Sequence, residues 1–189
     1  MEKFYLEIPS IKRKNEALDY IQEFLDANSE INGTGGLNRY LDDYEEWLIK
    51  LEEDYIRTPD ENRVPARTFF LIRKDDDKIV GMINIRLTLN EKLRRVAGHI
   101  GFSIRPKERN KGYNNINLYL GLKECVKHNI KKVLLTAYKG NPASWKTMER
   151  FGGIRIKEEY IEEYHELTVF YEIDTFKAIK NNEEFEQYI

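Results

Sequence analysis

Only one cysteine, Cys125, occurs in 189 residues. A single thiol cannot close an intramolecular disulfide or build a thiolate metal cluster. Long apolar runs are missing too. "FFLI" at Phe69–Ile72 and "VLL" at Val133–Leu135 stop after a few residues, far short of the roughly 20 that cross a bilayer. The opening "MEKFYLEIPSIKRKN" has no uninterrupted apolar stretch, so no secretory signal is expected and the cytoplasm is the default compartment. Neither charge dominates: 31 Lys and Arg face 33 Asp and Glu, a net charge of −2. A nucleic-acid partner, whose usual footprint is a basic domain, is therefore not expected. There is no internal repeat and no low-complexity segment. What remains is 41% hydrophobic and 34% charged, an ordinary globular balance, at a length that one core can organise.

The periodicities give an order of elements. "YLEI" (Tyr5–Ile8) alternates like a short strand and Pro9 ends it. Ile11, Leu18, Ile21, Phe24 and Leu25 form one stripe of a helix over Ser10–Ala27. The glycines of "NGTGGLN" mark a loop, and a second helix is expected to run from Leu37 to Leu51, with Tyr40, Tyr44, Trp47 and Leu48 on its apolar stripe. Beyond the proline-bearing loop Arg57–Arg67 come strands Thr68–Lys74 and Lys78–Leu89, joined by an aspartate turn. A third strand, Ala97–Ile104, is stopped by Pro106, and a helix follows over Gly112–Asn129. "KKVLLTAY" (Lys131–Tyr138) is apolar without clear alternation, as a centrally buried strand would be. Asn141 and Pro142 open another helix that Gly152 ends. Strands near Ile154–Tyr160 and Thr168–Asp174 and a polar helix over Phe176–Tyr188 complete the order. The expected fold is a mixed α/β sheet whose antiparallel first half feeds a parallel crossover.

The most informative segment is "IRPKERNKGYNNINLYL" (Ile104–Leu120). It lacks the several glycines of a usual phosphate loop, having Gly112 alone. It does run strand, proline-bounded loop, helix. The first amides of that helix have no partner within it and sit at the positive end of its dipole, which suits a phosphate. Arg105, Lys107, Arg109 and Lys111 add positive charge nearby. Read by itself, the segment is equally a solvated basic turn.

With "NPASWKTMERFGG" some 27 residues further on, the pattern resembles the GNAT family of N-acetyltransferases, and within it a bacterial branch. That family binds the pyrophosphate of acetyl-CoA on a loop Gln/Arg-x-x-Gly-x-Gly/Ala between a strand and a helix, which falls here on Arg109, Gly112 and Asn114. A second signature, Asn-x-x-Ala/Ser, falls on Asn141 and Ser144. The resemblance spans residues 66–174 and more loosely the N-terminal helices. It implies one acetyltransferase domain over 1–189, with 1–65 supplying a strand and helices and 175–189 a tail. It also implies a fold of about seven strands with a parallel pair at the cofactor cleft, and helices on both faces. Acetyl-CoA is the implied cosubstrate and no metal is implied. The acceptor is a primary amine of a small or amino-acid-like metabolite, with a protein lysine or N-terminus and a non-catalytic acyl-CoA-binding regulator as alternatives. Family members are often homodimers.

Site residues follow from the same resemblance. Phe102 and Ile104, on the strand beside the pantetheine arm, with Arg109, Asn110, Lys111, Gly112, Tyr113, Asn114, Asn141 and Ser144, are the expected cofactor contacts. A backbone N–H of that strand is expected to hold the developing oxyanion, and Gly98 and Gly101 to ease the bulge that opens the cleft. No acid lies within Ala97–Ile104, so His99 is the candidate base, or else a histidine bonded within the sheet. The tyrosine that many members use as general acid corresponds to Met148, which leaves Tyr138 or Tyr113. Arg86, in an apolar strand, and Asn90 are candidate acceptor contacts, Arg86 through a bidentate carboxylate, or else Arg86 pairs with one of the local acids. His165 and the acids of Lys157–Glu166 either line the acceptor entrance and attract a cationic amine or form a solvated hairpin. Cys125 reads as packing, although His128 one turn away would allow an acyl-cysteine route.

Overall fold

The computed structural model describes residues 1–189. The strands are β1 (Phe4–Glu7), β2 (Ala66–Arg73), β3 (Lys78–Arg86), β4 (Ile100–Ile104), β5 (Lys132–Tyr138), β6 (Ile154–Ile161) and β7 (Glu166–Asp174). The helices are α1 (Lys14–Asp26), α2 (Tyr44–Ile56), α3 (Glu91–Val96), α4 (Tyr113–Lys127), α5 (Pro142–Arg150) and α6 (Thr175–Lys180). The strands divide into two sheets, ordered β1-β2-β3-β4 and β5-β7-β6.

The first sheet is covered on both faces, which explains its apolar runs. Along β2, Phe69 and Leu71 join the large core under α4, while Phe70 and Ile72 join a second core with Tyr20, Phe24 and Trp47 of α1 and α2. A bulge between Leu71 and Ile72 of the β2–β3 ladder shifts the register. It lets Val80 face the α4 side while Ile79 and Met82 face the other.

Caps account for the two helix boundaries that periodicity misplaces. Residues 37–39 form only one 3-10 turn after Gly36 (φ 86°). α2 starts at Tyr44 because the Asp43 side chain accepts the Glu46 amide at 3.1 Å. α3 replaces what reads as a strand-to-strand connection: the Asn90 side chain accepts the Leu93 amide at 2.9 Å and nucleates it.

The expected parallel pair is not formed. Every ladder is antiparallel, and β4 and β5 touch at one end only. There Gly98 bridges to Leu135. The His99 amide donates to the Leu134 carbonyl at 2.7 Å, and the Leu134 amide donates to His99 Nδ1 at 2.9 Å. The ring nitrogen thus occupies the place a partner-strand carbonyl would take, and pairing stops. Gly98 makes the junction sterically feasible: it sits at φ 72°, and an added Cβ would run into the Leu134 carbonyl. β5 is therefore the edge of its sheet, not a central strand, and it does alternate, with Val133, Leu135 and Ala137 buried.

Candidate active site

The candidate site is the gap between β4 and β5. In the β3–β4 ladder the Arg86 amide donates to the His99 carbonyl at 2.8 Å and the Arg105 amide to Val80 at 2.9 Å. The register pairs Asn84 with Gly101 and Met82 with Ser103. Odd-numbered residues of β4 therefore exchange backbone bonds with β3. Ile100, Phe102 and Ile104 turn their amides and carbonyls the other way, into the gap. The Ile104 carbonyl is met there by Arg109 Nε at 3.2 Å.

A cavity of about 540 Å³ runs along this edge and over the start of α4. Among its lining residues are Phe102, Ile104, Arg109, Asn110, Gly112, Tyr113, Asn114, Asn141 and Ser144. Nine of the ten expected cofactor contacts thus lie on one wall system; Lys111 does not. Its ammonium is 2.8 Å from Glu108 Oε2, a carboxylate that also binds Arg73 at 2.9 Å and Lys78 at 3.2 Å. Burial opposes ionisation of Glu108, but Lys111, Arg73 and Lys78 together hold its pKa down at about 2.

The basic cluster is thinner than its sequence suggests. Arg105 turns inward: its side chain is 3% exposed and its Nη1 lies 2.7 Å from Asp19 and 3.2 Å from Glu23. Only Arg109 of the four basic residues reaches the cavity, with its Nη2 donating to Ser29 Oγ at 2.8 Å. What the loop offers an anion is then chiefly the helix start itself. Gly112 at φ 81° aims the chain into α4, and the first backbone bond there is Asn115 to the Gly112 carbonyl at 3.0 Å. The amides of Tyr113 and Asn114 precede it, as the unpaired first amides of any helix do. An added Cβ at Gly112 would project into open space, so glycine is needed there for its backbone angle and for what approaches from outside.

Asn114, where the family pattern has a glycine or alanine, leans away from the loop. Its Nδ2 donates to Thr147 Oγ1 of α5 at 3.2 Å, leaving Oδ1 without a partner. Asn141 caps α5 by accepting the Ser144 amide at 3.3 Å.

A second, smaller cavity of about 230 Å³ adjoins the first, sharing Glu30, Asn32, Phe102, Asn141 and Ser144 with it. Arg86 and Tyr138 line this one. Arg86 Nη1 donates to the Gly98 carbonyl at 2.9 Å, and burial lowers the pKa of the guanidinium. Burial chiefly, and then the charge of Glu30, raises the Tyr138 hydroxyl. Asn90 lines neither cavity. Besides capping α3, its Nδ2 donates to the carbonyls of Asp60 and Glu61 at 3.1 and 2.9 Å, a purely architectural use.

His99 is poorly placed to act as a base. Its Nδ1 lone pair already accepts an amide proton, so the neutral ring carries its proton on Nε2. Burial first, and then Arg94, push its pKa down to about 4. It behaves as the histidine bonded within the sheet. Met148 is 1% exposed in the main core, and Tyr113 is buried with its hydroxyl on Glu2 at 2.8 Å. Neither serves as a general acid at the gap. Cys125 is fully buried and its thiol is pushed up to about 12 by burial, which removes the acyl-cysteine route. His165 sits at φ 52° in the β6–β7 turn, on the solvated hairpin.

Sequence reasoning passed over Glu30, Asn32, Thr136 and Thr168, which all line the smaller cavity, as does Tyr164 of the Lys157–Glu166 hairpin. Glu30 and Asn32 come from the loop after α1 and carry no local pattern.

A splayed pair of strand edges with an open helix start at its mouth is a cleft for an extended, phosphate-bearing substrate. The chain belongs to the GNAT family of acetyltransferases, whose family model, "Acetyltransferase (GNAT) family", matches residues 34–153. It is accordingly an acyltransferase of a family that uses acetyl-CoA as cosubstrate. Among solved structures it is similar to the ribosomal-protein-S5-alanine acetyltransferase from Vibrio fischeri, with TM-score 0.70 and 15% identity over 93% of this chain and 94% of that one. Mutant forms of the spermidine/spermine N-acetyltransferase from Vibrio cholerae give TM-score 0.65 and 15% identity over 95% and 98%. A GNAT-family acetyltransferase from Bacillus anthracis gives 0.61 and 16% over 92% and 96%. At these identities the likeness is one of fold. A search of curated protein sequences returns no match. No helix of the chain is long and apolar enough to cross a membrane.

Proposed function

We propose that this chain transfers the acetyl group of acetyl-CoA to the primary amine of a small metabolite by direct attack, both substrates being bound at once. The observation that carries the reading is the junction of the two cavities. The larger runs from the α4 start along β4, and the smaller opens from it at Phe102, Asn141 and Ser144. Two substrates held in adjoining cavities meet without a covalent enzyme intermediate, and their proximity supplies much of the rate.

In this reading the amides at Gly112–Asn114 take the pyrophosphate, helped by Arg109, with Asn110 and Tyr113 in the cavity wall and Lys111 outside it. The open edge of β4 pairs with the pantetheine arm at Phe102 and Ile104, and Asn141 and Ser144 close the opposite side. The Phe102 N–H, free of β3, donates to the thioester oxygen and to the oxyanion that forms there. Tyr138 is the hydroxyl available to the leaving sulfur, although a thiol whose pKa is near 8.5 can depart as thiolate.

The similar structures are named for acetylation of spermidine or of a ribosomal-protein alanine. A small acceptor is favoured here over a protein chain because Arg86 is half-buried and lines the smaller cavity. The test is thiol release from acetyl-CoA with a panel of amines and amino acids, run beside calorimetry with coenzyme A. Acetylation of small amines is expected. Coenzyme A binding without turnover of any amine or peptide would leave a regulatory binding domain, and no binding at millimolar coenzyme A would sink the reading.

Asn114→Ala tests the altered loop position. Because the side chain already points to α5, coenzyme A affinity is expected to stay within about threefold, a change under about 0.7 kcal/mol. Stability should fall by roughly 0.5–1.5 kcal/mol for the lost bond to Thr147. Calorimetry and denaturant unfolding measure the two separately.

A further inference from the structure

The smaller cavity carries one positive and one negative side chain, and the protein neutralises neither. Arg86 is the only basic residue in its lining and Glu30 the only acid. The Arg86 guanidinium has a backbone carbonyl as its one hydrogen-bond partner and no carboxylate within ion-pair range. A partly buried cation left this way is unfavourable unless something else completes it. Glu30 stands where the two cavities join. Glu30 is solvent-exposed and no lysine or arginine pairs with it, so its charge is free to meet a cation, whereas Glu108, the buried acid of the larger cavity, binds three cations. Glu30 and Tyr138 both line the smaller cavity. Tyr138 and Tyr164 stack edge to face at 6.1 Å and give the cavity an aromatic flank. At about 230 Å³ it is smaller than the roughly 300–1,000 Å³ typical of drug-sized ligands, and it suits a molecule of amino-acid size.

We propose that the acceptor is a zwitterion, an amino acid or a similarly short compound bearing an amine and a carboxylate. Its carboxylate lies on Arg86 and its ammonium on Glu30, at the mouth of the larger cavity. This rests on the acetyl-transfer reading and narrows it. Arg86 meets the carboxylate with the guanidinium edge that Gly98 leaves unused. Glu30 takes one proton from the ammonium and passes it to solvent. The neutral nitrogen then bonds to the acetyl carbon, and the C–S bond breaks with its electron pair on sulfur. The second proton lost by nitrogen balances the thiolate, so the products are an amide, a thiol and one released proton. Glu30 supplies the acid that β4 lacks, from a loop that sequence pattern does not connect with that strand.

Matched acceptors test this: free amino acids, their carboxamides and the corresponding decarboxylated amines, each with acetyl-CoA. Free acids are expected to exceed their amides by about tenfold or more in kcat/KM, the loss of one charge-assisted contact. Arg86→Ala should collapse that ratio by raising KM for the acids, and Arg86→Lys should restore part of it. Glu30→Gln should lower kcat while leaving KM for acetyl-CoA unchanged. Calorimetry with coenzyme A on each variant shows that the fold survives. Equal or better turnover of amides and decarboxylated amines overturns the zwitterion assignment and leaves acetyl transfer standing, as does an Arg86→Ala enzyme with its preference intact. No turnover of any amine by the wild-type chain overturns both readings.

Discussion

Phe102→Pro is expected to lower turnover by roughly 100- to 1000-fold, the range for loss of one oxyanion donor, while coenzyme A still binds. Proline removes the backbone N–H. In most central strands that would break a ladder. Here the Phe102 amide points away from β3, because Gly101 and Ser103 hold the bonded positions opposite Asn84 and Met82, and no strand faces it on the other side. The sheet therefore loses nothing directly, and only the cleft loses a donor. Phe102→Ala is the companion: it keeps the amide and removes a ring that packs against the main core. If the proline enzyme is as fast as the alanine enzyme, the Phe102 amide takes no part in the reaction.

The second large effect concerns stability. Arg105→Ala is expected to cost about 3–5 kcal/mol, typical of leaving a buried charge without its partner, and to lower the melting temperature by roughly 10 °C. Arg105 Nε donates to the Ile79 carbonyl at 2.9 Å, and Nη1 binds Asp19 and Glu23. Glu23, whose side chain is 10% exposed, also accepts the Lys107 amide at 2.7 Å. Asp19 is largely in water and adds little, so the loss comes from stranding Glu23. Combining Arg105→Ala with Glu23→Gln should recover part of the stability. A melting temperature within about 2 °C of wild type would mean that water enters and solvates the cluster.

Much of this molecule is legible in its sequence, for reasons that differ by element. α1, α4 and α5 announce themselves through a stripe or through caps such as Asn141-Pro142. The strand–loop–helix at Ile104–Tyr113 is equally plain, since its meaning is local. β5 is harder: three apolar residues in a row resemble a central strand, yet Leu134 is half-buried against the small cluster of Val96, Ile161 and Phe170 while Val133 and Leu135 fill the main core. Asn90 shows a polar residue whose type fits two roles. Its cap on Leu93 was available in "NEKL", and the functional interpretation displaced it. Arg105 and Lys111 look like anion ligands because sequence shows charge and hides direction. Glu30 and Asn32 are illegible because they reach the cleft through a loop whose path is set by tertiary contacts. Gly33 shows how: an added Cβ there would overlap the Gly101–Phe102 backbone, so the loop lies directly on β4.

The division into two sheets also bears on the order in which the protein comes into being. Every ladder of the first sheet closes within residues 4–104, and every ladder of the second within 132–174. During synthesis the N-terminal sheet can pair first, and α4 then covers Phe69, Leu71, Ile83 and Ile85. At that moment the nascent chain has a phosphate-ready helix start and an open strand edge but no opposing wall. The cleft arises only when β5 and α5 emerge, so binding competence is among the last properties the growing chain acquires.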